Sequence, residues 1–266
     1  LQELENPKKV LVIMAGNIPL VGFHDFLTVL VTGHKVVVKM SSADNVLFKV
    51  IIERLLIIAP EFNESIVFID DIKNRKFDAV IATGSDNSAK YFEYYFKGAK
   101  KIIRKNRRSV AIIDGTESNI ELKGLASDIF AYFGLGCRNV SKLFLPKGYD
   151  LNKLFNVFFP YSYLVDHKKY GNNYDYNKAI FLMGSNKLVE NGFLIMKEDK
   201  SLLSPVAMLY YEYYDDMYTV EQFVEENAEQ LQCIVSKKDI PFGNTQQPNL
   251  WDYADGVDTV DFLREL

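Results

Sequence analysis

The chain has 266 residues, 48% apolar and 25% charged, with 31 basic residues against 35 acidic ones and a net charge of −4. This globular mixture allows one large domain or two modest ones with a buried core, and it excludes a disordered tail, a collagen-like repeat or a coiled coil. The acidic balance argues against bulk nucleic-acid binding, and no apolar run approaches the roughly 20 residues of a membrane helix.

In chain order, Val10 to Met14 reads as an apolar strand, followed by Gly16-Asn17-Ile18-Pro19 and a helical pattern from Phe23 to Thr32 that stops at Gly33. Val36 to Val38 is a second strand, and Ser41 to Asp44 supplies N-cap chemistry. Val46 to Ala59 reads as an amphipathic helix ended by Pro60. Ile66 to Ile69 and Ala79 to Ala82 are further strands. Thr83-Gly84-Ser85 then opens a helix over about Asp86 to Phe96, and Val110 to Ile113 is another strand. Strands alternating with crossover helices predict a doubly wound α/β domain over the first 115 residues. In the second half, Lys142 to Leu145 and Val206 to Tyr211 read as strands, Asn191-Gly192 as a hairpin turn and Val220 to Leu231 as a helix. No linker separates the halves, which predicts two lobes rather than independent domains.

Leu1 to Asn6 is polar and acidic, with no secretory h-region after it, and a start at Leu1 without Met leaves room for preceding residues. Two cysteines, Cys137 and Cys233, cannot form a disulfide framework, so the cytoplasm is the expected compartment. His24, His34 and His167 have no ligand spacing, so no metal site is expected.

The sharpest chemical signal is Phe133-Gly134-Leu135-Gly136-Cys137-Arg138-Asn139 before a strand. The glycines let a backbone approach closely and expose sulfur at a turn, and Arg138 would favour the nucleophilic thiolate. The other reading is an inert cysteine beside a helix end, which is also the reading for Cys233 in its apolar run. Asn17, after the first strand, is an oxyanion donor or an ordinary turn residue. Thr83-Gly84-Ser85 is a pyrophosphate site at a helix N-terminus or a plain serine cap. Lys100, Lys101, Arg104, Lys105, Arg107 and Arg108 read first as a solvated basic face, and second as contacts for nucleotide or coenzyme A phosphates. His24 and His34 read as structural, and the tyrosines between 161 and 176 as packing and surface.

In order, these motifs resemble an abbreviated aldehyde dehydrogenase superfamily chain, most closely the LuxC-type fatty acyl-CoA reductases. Asn17-Ile18-Pro19-Leu20 is similar to that superfamily's Asn-Phe-Pro-Leu segment. Gly33-His34-Lys35-Val36-Val37-Val38-Lys39 resembles its Gly-Asn-x-Val-Val-x-Lys strand, and Thr83-Gly84-Ser85 its pyrophosphate turn. Gly136-Cys137-Arg138-Asn139-Val140-Ser141 resembles the catalytic-cysteine segment, and Pro241-Phe242-Gly243 a late Pro-Phe-Gly segment.

The resemblance implies two Rossmann-like α/β lobes with the active site between them. The expected division is a nicotinamide-binding lobe over 1–114, a catalytic lobe over 115–245, and a tail over 246–266 packing back on the lobes. Carried over by position, Cys137 becomes the acyl-accepting nucleophile and Asn17, with the Cys137 N–H, the oxyanion hole. Lys39 becomes the adenosine-ribose contact, with Gly84 and Ser85 at the pyrophosphate. Ser42 stands where NAD-dependent relatives carry an acid, which makes NADPH the expected cofactor, with NADH as the alternative. The family's hydrolytic Glu-Leu-Gly-Gly aligns near Ile103-Arg104-Lys105-Asn106, where no acid stands. Ser201 to Val206 replaces Glu-x-Phe-Gly-Pro-Val, so its carboxylate is either missing or replaced by Glu198.

The resulting expectation is an NADPH-dependent reductase of acyl-CoA, or of another acyl thioester, to the aldehyde. It has no nucleic-acid partner and no membrane span, and its homo-oligomer state is left open. The rivals are a non-redox cysteine acyltransferase or thioesterase, and a catalytically inert binding protein on the same fold.

Overall fold

The computed structural model describes residues 4–266. The chain forms two compact units, Leu1–Asn106 with Trp251–Leu266, and Arg107–Leu250. The change of unit thus falls between Asn106 and Arg107, ahead of the expected boundary at 114, and the returning segment starts at Trp251 rather than 246. The strand predicted at Val110 to Ile113 pairs into the second sheet, which is why the boundary moves.

The first unit carries β1 (Lys9–Ile13), α1 (Phe23–Val31), β2 (Lys35–Lys39), α2 (Val46–Ile58), β3 (Ile66–Phe68), β4 (Ala79–Thr83), α3 (Asp86–Tyr95) and β5 (Lys100–Arg104). Its sheet is parallel throughout, in the order β3-β2-β1-β4-β5. Alternate residues of a strand face opposite sides, so a strand buried on both faces is apolar throughout. In β1, Val10 and Val12 pack with Phe26, Leu30, Phe48 and Ile52 of α1 and α2. Leu11 and Ile13 join Val80, Ala82 and Phe96 on the other face. Phe26 and Phe48 are wholly buried and meet edge to face at 5.1 Å between ring centroids, each burial stabilising by about 1.5–3 kcal/mol.

The second unit carries β6 (Arg108–Ile112), α4 (Asn119–Phe130), β7 (Val140–Pro146), α5 (Leu151–Phe158), α6 (Lys168–Met183), β8 (Val189–Glu190), β9 (Ile195–Glu198), β10 (Met208–Tyr214), α7 (Met217–Glu226) and β11 (Leu231–Val235). Its sheet runs β11-β6-β7-β10-β9-β8, parallel except for the β8–β9 hairpin. That hairpin turns at Asn191-Gly192 as predicted, with Gly192 at φ +93°. α4 starts with a capping box, Ser118 and Glu121 each bonding the other's backbone N–H. Ala111, Ile113, Leu143 and Leu145 pack on the α4 side, while Val110 and Phe144 pack with Val220 of α7 on the other.

The chain then returns to the first unit and ends with α8 (Thr259–Arg264), whose Leu263 enters the core beside Val29 and Leu30. No helix among the described residues is long and apolar enough to cross a membrane.

Candidate active site

In the first unit, β1, β2 and β3 step outward and the chain then returns to lay β4 on the other side of β1. The crevice beyond the carboxyl ends of such strands, where the order reverses, is the ligand position of open α/β sheets. Every candidate binding residue of this half lies along that edge. Asn17 is exposed in the loop after β1, Lys39 is the half-buried last residue of β2, and Ser42 is exposed just beyond it. Gly84 and Ser85 follow β4.

The loops are held against one another. A side chain on Gly16 would meet Ser41 Oγ at 2.4 Å, so only glycine lets the β1 and β2 loops touch. The Asp44 carboxylate accepts from the Leu20 N–H at 2.7 Å and is thereby committed to the Asn17 loop. Ser85 is the N-cap of α3 and accepts from the Ser88 N–H at 3.3 Å. Gly84 sits so close to Ser88 that a Cβ would lie 2.9 Å from it, so the turn into α3 requires glycine there.

Cys137 is in the second unit, exposed, in the turn just before the amino end of β7. Three successive residues ahead of it, Tyr132, Phe133 and Gly134, hold left-handed backbone at φ 51°, 60° and 71°. Two non-glycine residues in that region cost on the order of 1–2 kcal/mol each, so the turn persists only because its surroundings determine it. The buried Asn139 supplies much of that. Its Oδ1 accepts from the Gly136 N–H at 2.8 Å, and its own N–H donates to Gly136 O at 3.1 Å. Its Nδ2 donates to Asp128 O and Ala131 O at 3.0 and 2.9 Å, with a longer contact to Ile129 O. These are carbonyls at the end of α4, where the helix supplies no further N–H. From β6, Ser109 Oγ donates to Cys137 O at 2.9 Å.

Asp128 is a residue that sequence reasoning did not single out. Its buried carboxylate accepts from the Gly243 N–H at 2.6 Å, the Thr245 N–H at 3.1 Å and Thr245 Oγ at 2.8 Å. Burial pushes its pKa up, against the pull of those three bonds. This is what fixes Pro241-Phe242-Gly243, and Gly124 of α4 packs so tightly there that a Cβ would lie 2.6 Å from Phe242 O. An acid nine residues before a cysteine, with a Gly four residues before that acid, was the available signal, but neither spacing marks chemistry by itself.

Several expectations need correction. The Arg138 guanidinium, expected beside the Cys137 thiol, also donates to Cys233 Sγ at 3.5 Å and to Thr245 O at 3.2 Å. Burial still pushes the Cys233 thiol up, in keeping with its core reading. Of the 100–108 cations, Lys100 and Lys105 are exposed as expected of a solvated face, but Arg104 is not. Arg104 is buried and paired with Asp25 at 2.7 Å, and Lys100 and Lys101 bond the Glu265 and Phe96 carbonyls at 2.6 and 3.2 Å. Arg107 donates to Leu231 O at 3.2 Å. Glu198 is exposed at the carboxyl end of β9, whereas the cysteine turn precedes the amino end of β7, so the two do not share a sheet edge.

The segment from Asp199 to Val206 is pinned by its carbonyls. The fully buried Lys142 bonds Asp199 O at 3.1 Å, Lys200 O at 2.8 Å and the Glu212 carboxylate at 2.8 Å, and Ser141 Oγ bonds Leu202 O at 2.8 Å. Asn177 bonds Val206 O at 2.9 Å. Residues 203–208 thereby line a narrow cavity of about 40 Å³ together with Gly136, Asn139 and Tyr170. A roomier cavity, about 300 Å³, opens past Ile112 and Ile234 at the other end of the second sheet, so size does not mark the cysteine turn.

Solved structures place this architecture in the aldehyde dehydrogenase fold. A variant of the P. syringae indole-3-acetaldehyde dehydrogenase AldA, in complex with NAD+ and IAA, superposes with a TM-score of 0.68 at 15% identity, over 86% of this chain and 55% of that one. The aldehyde dehydrogenase KauB from Pseudomonas aeruginosa gives 0.66 at 14% identity over 86% and 55%. Aldehyde dehydrogenase 21 from Physcomitrella patens, solved with the reaction product succinate, gives 0.66 at 14% over 87% and 56%. The chain therefore spans little more than half the length of these proteins. A search of curated protein sequences found no match. The family model described as acyl-CoA reductase (LuxC) matches residues 2–154, a stretch that includes Cys137, and the chain belongs to that family.

Proposed function

We propose that the chain is a nicotinamide-dependent acyl-CoA reductase, converting an acyl thioester to the aldehyde through an acyl-enzyme on Cys137. The observation that carries this reading is an exposed cysteine at a turn whose flanking backbone is bonded on both sides, inside the stretch matched by the acyl-CoA reductase family.

The Cys137 thiolate attacks the thioester carbonyl, a C–S bond forms, and the bond to coenzyme A breaks with the thiolate as leaving group. Thiolate replaces thiolate, so the exchange needs no strong general acid. A nicotinamide cofactor, when bound, supplies a hydride to the acyl carbon. The oxyanion that develops on Cys137's acyl group is met by the Cys137 N–H and, on the resemblance, by the Asn17 side chain. Its electron pair then re-forms the carbonyl, aldehyde leaves, and Cys137 returns to thiolate.

For the cofactor, Lys39 and Ser42 at the end of β2 would hold the adenosine ribose, and Gly84 and Ser85 the pyrophosphate. A parallel sheet with its strand reversal beside β1, and a glycine turn opening α3, fit such a group. AldA, of the same fold, was solved with NAD+. The preference for NADPH is supported by Ser42, which puts no carboxylate where NAD-dependent relatives carry an acid. The absence of an acid at Arg104 supports reduction over hydrolysis, because discharging a thioester with water needs a base.

The test is NADPH oxidation across an acyl-CoA chain-length series, with Cys137→Ala and an NADH control. Oxidation that yields aldehyde and disappears in the variant is the expected result. Acylation of Cys137 without oxidation would replace the reading with a transferase or thioesterase, and nicotinamide binding without acylation would replace it with an inert binding protein.

A further inference from the structure

The second sheet has a reversal of strand order of its own. From β6 the chain lays β7 on one side, and at the end of the unit it returns to lay β11 on the other. The crevice beyond the carboxyl ends of strands that flank such a reversal is where open α/β sheets take their ligands. Cys137 is not there, because its turn precedes the amino end of β7. The cavity of about 300 Å³ is there, lined by the ends of β6 and β11, the loops that follow them, and α7. Met217, Glu221, Val224 and Glu225 line it at helical spacing, so one face of α7 is turned to the cavity. Ile112, Met217, Val224 and Ile234 are half-buried margins of the core between α7 and the sheet, which gives the cavity an apolar floor left incompletely covered.

The rim decides the sign of an occupant. Asp114 pairs with Lys237 at 3.2 Å, and the Asp239 carboxylate accepts from Ser236 Oγ at 2.6 Å. The N–H groups of Asp114 and Gly115, a ready receptor for an anion, are filled by the Glu117 carboxylate at 2.7 and 3.0 Å. The side chains of Glu221 and Glu225 have no hydrogen bond or ion pair among the described residues, and they stand one turn apart on the same helix, where like charges repel. Glu225 also lies in the last turn of α7, which holds no basic residue, at the negative end of the helix dipole. Against these stands the exposed Lys238. No cluster of carboxylates, histidines or cysteines among the described residues could hold a metal ion, so the complement of this rim is an organic cation. We propose that the cavity binds a small amine, an ammonium carried on a short apolar body, with the body against Ile112, Val224 and Ile234 and the charge beside Glu221 and Glu225. The proposal does not rest on the reading of Cys137, and it gives the second unit a ligand site at the opposite end of its sheet.

The experiment is calorimetric titration of the full chain, at neutral pH and one salt concentration, with n-hexylammonium, 1-hexanol, hexanoate, methylammonium and a short lysine-bearing peptide. It compares wild type with the double variant Glu221→Gln, Glu225→Gln, with Val224→Trp and with Cys137→Ala. Hexylammonium is expected to bind at least about fivefold more tightly than hexanol, through the charge, and than methylammonium, through the apolar body. Glutamine at both exposed positions keeps the shape, and should remove the advantage over hexanol while leaving hexanol binding unchanged. Tryptophan at Val224 should fill the cavity and abolish binding of both; if that variant does not fold by circular dichroism, the glutamine pair decides. Cys137→Ala should bind hexylammonium like wild type, which keeps this result separate from the fate of the reductase reading. Equal binding of amine and alcohol, a preference for hexanoate, an affinity untouched by the glutamines or lost with Cys137, or no binding of any probe would overturn the proposal. A peptide bound far more tightly than hexylammonium would also overturn it, making the cavity a groove for a protein segment.

Discussion

Replacing Arg104 with alanine is expected to destabilise the first unit by about 3–5 kcal/mol, the usual cost of stripping one partner from a buried ion pair. The side chains of Arg104 and Asp25 are only 5% and 7% exposed. Arg104 donates to the two Asp25 carboxylate oxygens at 3.3 and 2.7 Å, to Thr259 Oγ at 2.9 Å and to Ala254 O at 2.6 Å. Alanine removes all four bonds and leaves the Asp25 carboxylate buried without its counter-charge. With a urea dependence of about 2 kcal/mol per molar, the unfolding midpoint should drop by about 2 M. Because Thr259 and Ala254 lie in the returning segment, hydrogen exchange of residues 251–266 should rise in the same variant. Lysine restores charge but not the planar fork and should recover only part of the loss. The double variant Asp25→Ala, Arg104→Ala should be less destabilised than the sum of the singles by at least about 2 kcal/mol. Stability of Arg104→Ala within about 0.5 kcal/mol of wild type would refute the reasoning and return Arg104 to the solvated face that its sequence context suggests.

Three further outcomes follow from the geometry. Gly124→Ala would drive a methyl to 2.6 Å from Phe242 O, backbone that cannot swing aside, and should cost about 1–3 kcal/mol by thermal or urea unfolding. N-ethylmaleimide should modify Cys137 rapidly and Cys233, 2% exposed, only on unfolding, which peptide mass mapping would show as a single adduct. Glu190 is bonded by Tyr174 and by Lys178 at 2.9 Å, and these, with the Gly192 N–H, hold its pKa at about 2 against an ordinary 4.5. A depressed folded-state pKa contributes stability above the unfolded value that is lost as pH falls. The deficit of Glu190→Gln relative to wild type should therefore be full near pH 7 and shrink between about pH 5 and pH 2; a deficit independent of pH would contradict the assignment.

The strand-helix alternation of the first unit was legible because β1, β2 and β4 are apolar on both faces, a pattern that two-sided burial requires. β5 was hidden for the converse reason: its sequence Lys-Lys-Ile-Ile-Arg looks like part of a basic run, and only the fold shows Arg104 satisfied internally and Ile102 in the core. Without β5, the strand at Val110 to Ile113 reads as the last of the first unit, which puts the expected boundary too late. At the cysteine turn, the glycines announce a tight backbone and Asn139 holds it locally, but further partners come from afar. Ser109 lies 28 residues before Cys137, and Thr245 lies 117 after Asp128. Pattern reading sees neighbours in sequence, and such pairings are created only by sheet order. Arg138 shows the same limit: its contact with Cys233, 95 residues later, is not visible in its sequence neighbours.

The central claim is that Cys137 takes the acyl group from a thioester. Its most direct test is the intact mass of the chain after brief incubation with acyl-CoA in the absence of nicotinamide, beside Cys137→Ala. The account predicts one added acyl group, mapped to the Cys137 peptide, released by hydroxylamine and absent from the variant. An unmodified chain, or an adduct that survives in Cys137→Ala, would contradict it.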